Sequence, residues 1–299
     1  MNIDNQYKLL VDKVQKEGYR YEMNNRKGTF VTQIDSYSFT HDMRNGFPLL
    51  SLKKTSFHNI MVELNWFLSG QSSIRFLKDR GVKIWDKDVA NYEKRRNREN
   101  PDNEAGRVYG VQWRDFSRFS VMDSSTLSLS MRSEKGLDQI QNLINKMRDR
   151  NVSRRGIVTA WHPIDVAQDK MALPPCHFMF QVIENPTAES FSLKWHQRSV
   201  DTFLGLPYNI ASYALLGRFL EARTGMKFTH LIADLSCVHI YDQHTSQMEE
   251  LISRDSLHDQ NNLVDVSIDT IENGDCIWWN LHNYKSHGYL KAEMIAEDK

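Results

Sequence analysis

The hydrophobic period of this chain changes from helical to strand-like near residue 156, and that change constrains the fold more than any other feature. Upstream, apolar residues recur at helical spacing. Tyr7, Leu10, Val11 and Val14 predict an amphipathic helix over 5–18, and Ile60, Leu64 and Phe67 predict another over 56–70. Ser56 suits the start of the second helix and Gly70 its end. A further helix is expected over 137–150. Downstream the texture turns to strands: "GIVTAW" (156–161), "FMFQVI" (178–183), "FSLKWHQ" (191–197), and strand-like residues from "TIENGDCIWWNLHNY" onward. A helix over 209–225 interrupts them, with Asn209 placed to cap it and Gly225 to end it. Charged residues 92–106 read as a surface loop, and Ser-rich 116–136 as an inserted excursion. Helices, strands, a helix and strands again point to one α+β domain over 1–299 rather than a βαβ array.

Charge and cysteine content narrow the function classes. The 299 residues carry 38 basic and 38 acidic side chains. A net charge of zero argues against a protein that coats nucleic acid, so no stable nucleic-acid complex is expected. Cys176, Cys237 and Cys276 show no metal-ligand spacing, and three is an odd number for a disulfide framework. Reduced thiols in a cytoplasm fit better. The polar N-terminus does not resemble a signal peptide, and no apolar run reaches the roughly 18 residues of a membrane span. Neither a metal nor a membrane is expected.

"ALPPCHFMFQV" (172–182) sets Cys176 between prolines and a histidine at the mouth of a strand. The turn-rich "ENPTAES" predicts an antiparallel hairpin in which residue 184 lies near 191. That register puts Cys176 beside Ser199 and His177 beside Arg198. A guanidinium held there favours thiolate over thiol. Composition alone leaves Cys176 open as either a packing thiol or a nucleophile. "QRSVDTFLGLPYN" (197–209) then brings Gln197, Arg198, Ser199, Asp201 and Asn209 onto one strand-loop-helix passage. A fork and a hydroxyl suit a phosphate, and the amide and acid suit the polar edge of a heterocycle.

With these residues in place, the chain resembles the thymidylate synthase family. "LPPCH" looks like its nucleophile motif and "QRSVDTFLGLPYNIASYALL" like its substrate signature. "FPLLSLKKTSFHNIMVELNWFLSG", "VKIWD", "RVYGVQWRDF", "SRRGIVTAW", "HIYDQH" and "NYKSHGYLKAEMIA" follow in family order, from about Arg26 to Ala296. The resemblance implies a large, mostly antiparallel or mixed sheet flanked by helices, with one sheet face used for homodimerisation. It implies one-carbon transfer from 5,10-methylenetetrahydrofolate to dUMP. Cys176 would add to C6 of the pyrimidine. Arg26, Arg198 and Ser199 would bind the phosphate, with Arg154 and Arg155 reaching the partner subunit's site. Asn209 would read the base alongside Gln197, and His239 and Tyr241 would hold the ribose. Glu63 would organise proton transfer, with Tyr109 near the thiol. Lys53, Trp85, Leu173, Asp201, Gly205, Tyr208 and Ala296 would line the folate side.

Physical chemistry supports the pairing of residue with role. Uracil presents a carbonyl at C4 and an N–H at N3, and one carboxamide, Asn209, complements both. A carboxylate there suits cytosine instead, so Asn209 predicts dUMP over dCMP. Glu63, among apolar helix neighbours, is expected to have a raised pKa suited to proton transfer. Some positions depart from the family pattern. Tyr208 stands in "PYN" for the usual Phe, Cys237 replaces an acid before "HIY", and Glu297-Asp298-Lys299 extend the tail. Extra polar groups near the folate favour water over hydride as the final acceptor's partner, as in deoxynucleotide hydroxymethylases of the same superfamily. Synthase is the leading reading, dUMP hydroxymethylase the alternative, and a binding module with dead chemistry the non-enzymatic one.

Overall fold

The computed structural model describes residues 1–24, 27–116, 136–272 and 275–295. Arg26, Ala296 and the 297–299 extension therefore lie outside the described residues, as does 117–135 of the excursion. The chain opens with helix α1 (Ile3–Glu17), hairpin strands β1 (Tyr19–Glu22) and β2 (Phe30–Asp42), then α2 (Phe57–Ser69), α3 (Arg75–Lys78), α4 (Asp86–Arg96), α5 (Tyr109–Arg114) and α6 (Gln139–Arg148). Strand β3 (Ile157–Thr159), helix α7 (Pro163–Ala167) and strands β4 (His177–Asn185), β5 (Ser190–Gln197) and β6 (Val200–Asp201) follow. Helix α8 (Gly205–Thr224), strand β7 (Lys227–Tyr241), helix α9 (Thr245–Ser253) and the hairpin β8 (Asp265–Glu272) and β9 (Cys276–His282) complete it.

Among the described residues, seven strands form one mixed sheet in the order β1-β2-β7-β5-β4-β3, with β6 beside β7. Neighbours are antiparallel except β5–β7 and β6–β7, which run parallel. Alternation sets its two faces. Phe191, Leu193 and Trp195 of β5 are buried, while Ser192, Lys194 and His196 between them are half-buried. On that second face, Asp234 of β7 pairs with Lys194 at 2.9 Å and lies 3.1 Å from His196. One continuous apolar cluster joins α1, α2, α8, both sheets and the segments between them.

The helix signals are met closely. Ser56 accepts a hydrogen bond from the Asn59 amide at the start of α2, and Gly70 and Gly225 take left-handed φ of 70° and 73° at the ends of α2 and α8. Three expectations need correction. Asn209 does not cap α8, which starts a turn earlier at Gly205. There the Asp201 carboxylate accepts from the Phe203 and Leu204 amides at 3.0 and 3.1 Å. Residues 92–96 belong to α4 and not to a loop, because Val89 and Tyr92 bury one face of that charged helix. The β4–β5 register pairs Glu184 with Phe191 as expected but slips at a bulge between His177 and Met179, so His177 faces Gln197. The excursion leaves and returns at one point, where Phe116 and Leu137 exchange backbone hydrogen bonds of 2.9 Å.

Candidate active site

The bulge decides where Cys176 sits. Its carbonyl accepts from the Arg198 amide at 2.8 Å, so Arg198, and not Ser199, is its cross-strand neighbour. The Arg198 guanidinium donates from Nε to Pro175 O and from Nη2 to Pro174 O, both at 3.0 Å, and lies 5.4 Å from the Trp161 ring. It thus clamps the two prolines that deliver Cys176 to the strand mouth. Cys176 is half-buried, and half-buried Leu173 precedes the prolines.

Tyr109 reaches the same point from α5. Its phenol oxygen accepts from the Cys176 amide at 2.8 Å. Gly110 makes this possible: a Cβ there would lie 2.4 Å from Phe67 O, so only glycine lets α5 rest on α2. The Tyr109 ring stacks on His177 at 4.1 Å and 18°, and His177 Nδ1 meets the Tyr213 hydroxyl at 3.0 Å. Burial pushes the Tyr109 phenol up and holds His177 down at about 3, so the imidazole is neutral.

A second arm carries Asn209. Trp195 Nε1 donates to Gln197 Oε1 at 3.2 Å, and Gln197 Nε2 donates to Asn209 Oδ1 and to Ser199 O, each at 3.0 Å. Gly205 lies between Asp201 and Asn209: a Cβ built on it would sit 3.6 Å from Asp201 Cβ and 3.7 Å from Asn209 Oδ1. Asp201 in turn pairs with His239 across β6 and β7, and Thr202 N donates to His239 O at 3.0 Å. The rings of His239 and Tyr241 meet at 4.9 Å, nearly perpendicular. His239 Nδ1 contacts Cys237 O at 2.8 Å, and Cys237 holds a left-handed φ of 48° between the β2–β7 pairs Ser36–Ser236 and Ile34–Val238.

The third group gathers on and around α2. Trp85 Nε1 donates to Glu63 Oε1 at 2.7 Å. Glu63 lies deep among protein atoms yet keeps partial solvent access, and burial raises its pKa to about 7 against the pull of that indole. Lys53 is buried, bonds Phe203 O and rests 3.9 Å over the Phe203 ring. Burial lowers its pKa to about 8, with Asp201 opposing. Burial raises the Tyr208 phenol, Glu63 and Tyr289 add to that, and the Ser56 amide and Asn59 side chain act the other way. Leu204 and the tail segment 289–293 with Gln247 line an open cleft of about 590 Å³ beside the start of α8.

Arg154 and Arg155 do not join these residues. They stand exposed in the turn before β3. Gly156 O accepts from Val182 N, so antiparallel pairing carries both arginines past Val182. That is about 20 Å along the strand from Cys176 at roughly 3.3 Å per residue. Three further members escaped sequence reasoning: Trp161, Trp195 and Tyr213. Tyr213 had a legible signal, since it follows Asn209 by four residues and so shares its helix face.

The thymidylate synthase family model matches residues 5–296, nearly the whole sequence. The chain belongs to the thymidylate synthase family. It is therefore a one-carbon transferase of the thymidylate synthase type, of the kind that acts on dUMP with methylenetetrahydrofolate as co-substrate. Among the described residues, no cluster of His, Cys, Asp and Glu forms a metal site and no helix is long and apolar enough to cross a membrane.

Proposed function

We propose that this member is a thymidylate synthase that methylates dUMP to dTMP through a covalent bond between Cys176 and C6 of the pyrimidine. The observation that carries the reading is the meeting of two arms. Cys176 is fixed between Tyr109 and Arg198, and Asn209 is oriented by Gln197 on the neighbouring strand. The Cys176 thiolate adds to C6, which makes C5 a carbon nucleophile. C5 takes the methylene carbon of the folate. Loss of the C5 proton and of tetrahydrofolate leaves an exocyclic methylene. Hydride from tetrahydrofolate reduces it, the C6–S bond breaks, and dTMP and dihydrofolate leave.

Each residue has a role in that sequence. Asn209 offers Nδ2–H to the C4 carbonyl and its second Oδ1 lone pair to N3–H. Arg198 and Ser199, with Arg26, take the phosphate; His239 and Tyr241 take the ribose. Glu63 moves protons near the base, and Tyr109 works beside the thiol. Lys53, Trp85, Leu173, Asp201, Gly205, Tyr208 and Ala296 receive the folate. Arg154 and Arg155, too far along β3 for their own site, reach a partner's phosphate in a cytoplasmic homodimer. The half-exposed sheet face around Lys194, His196 and Asp234 suits that contact.

The second reading, a dUMP hydroxymethylase, rests on Tyr208, whose phenol lies near Glu63 on the folate side. Water held there would capture the methylene and give 5-hydroxymethyl-dUMP with tetrahydrofolate unoxidised. Incubation with 5-fluoro-dUMP and methylenetetrahydrofolate tests the covalent step: a stable ternary mass adduct is expected, absent in Cys176→Ser. Absence of the adduct while both ligands bind overturns it. Product mass with dihydrofolate absorbance then decides between methyl and hydroxymethyl.

A further inference from the structure

Tyr213 touches both arms of the site, through His177 on one and Trp195 on the other. It is 3 % exposed, on α8. Its ring stacks on Trp195 at 5.3 Å and 8°, and Trp195 starts the amide relay that ends at Asn209. Its hydroxyl lies 3.0 Å from His177 Nδ1, and the two rings meet edge-on at 5.4 Å. His177 stacks on Tyr109, which holds the Cys176 amide.

We propose that Tyr213 is a positioning residue that holds His177 as its Nε2–H tautomer and ties the nucleophile arm to the base-reading arm. A neutral imidazole carries one proton and one lone pair, and the partner of one nitrogen decides which is which. A buried hydroxyl proton without an acceptor is costly. Among the described residues, His177 Nδ1 is the hydrogen-bond partner of the Tyr213 hydroxyl. If Nδ1 carried the proton, the phenol oxygen would accept it and the phenol's own proton would have nowhere to go. If Nδ1 carries the lone pair, the phenol donates and both groups are satisfied. The second arrangement wins, and the ring proton sits on Nε2. Burial keeps the Tyr213 phenol protonated and the imidazole uncharged, so the assignment holds across working pH. His177 then offers a donor at its far end. It is a shelf and a hydrogen-bond donor, and proton abstraction falls to other groups.

Long-range 1H–15N spectra of the full-length protein with labelled histidine read this directly. The eleven histidines are sorted by difference against His177→Gln. A pyridine-like Nδ1 and a pyrrole-like Nε2 are expected for His177; the reverse overturns the proposal, whatever any variant does. Tyr213→Phe keeps the ring stack and removes the donor. It is expected to mix the tautomers and to lower kcat by roughly 10- to 100-fold with little change in KM for dUMP. An unchanged tautomer in that variant also overturns the proposal. Trp195→Phe keeps the stack and removes the Gln197 donor, so it should raise KM for dUMP and leave the His177 signal in place. Only the kinetic half rests on the proposed reaction. A missing fluoro-dUMP adduct with the expected tautomer counts against that reaction, and an adduct with the wrong tautomer counts against this inference.

Discussion

Gln197 Nε2 donates to Asn209 Oδ1 at 3.0 Å, and nothing about that bond is reversible by an amide flip. Gln197 Oε1 faces the indole N–H of Trp195, a group that only donates. The indole sets the Gln197 amide, and the Gln197 amide sets Asn209. Asn209, which under the proposed function shows a donor to one ring atom and an acceptor to the next, is thereby held in one of its two orientations.

Base choice follows from that constraint. Gln197→Leu should lower kcat/KM for dUMP by roughly 5- to 150-fold, a loss of about 1–3 kcal/mol, because Asn209 loses its orienting bond and the Trp195 N–H its acceptor. Asn209→Asp removes the donor for the C4 carbonyl and should move preference from dUMP towards dCMP. Paired kcat/KM measurements on the two nucleotides check both. An undiminished dUMP preference in Asn209→Asp would refute the assignment.

Glu63 predicts a pH limb. With its acid held near 7, steps that need the carboxylate should gain rate as pH rises through about 7. Glu63→Gln should erase the limb and lower kcat by roughly 10²- to 10⁴-fold. Trp85→Phe removes a donor that favours the carboxylate, so the limb should move to higher pH. Stability carries the opposite sign. Between pH 4.5 and about 7 the folded protein keeps a proton that the unfolded chain has released, so the Glu63 contribution falls as pH rises through that window and is level above it. Thermal unfolding of Glu63→Gln across the same range should lack this component.

The proposed function makes Tyr208 the group that would control water near the folate. We expect dTMP as the main product and a minor hydroxymethyl fraction that Tyr208→Phe abolishes, read by product mass. Equal fractions in both proteins would separate Tyr208 from water capture.

Gly217 tests packing away from the site. A Cβ on it would lie 2.3 Å from the Phe228 ring, itself stacked on Phe191 at 5.3 Å. Gly217→Ala should cost about 1–3 kcal/mol of stability by overpacking. Phe228 is at the opposite end of β7 from His239, so KM for dUMP should hold while Tm falls.

Local chemistry is legible in the sequence. Ser56, Gly70 and Gly225 mark helix ends because capping depends on one or two residues and their own backbone. The β4–β5 hairpin shows in its alternation and its turn residues. The long strands β2 and β7 were harder to read, since polar residues such as Ser36, Ser38, Asp234 and Ser236 interrupt their apolar runs on the half-exposed face.

What the sequence by itself determined was the α+β class, the helix boundaries set by caps, and which residue types gather near Cys176. Tertiary structure decided the rest. A one-residue bulge chose Arg198 over Ser199 as the neighbour of Cys176, because register depends on how strands settle against a shared core. The position of Tyr213 between His177 and Trp195 also came only with the fold. It requires a helix and two strands to pack together across residues 18 and 36 positions apart, and no local propensity encodes that meeting.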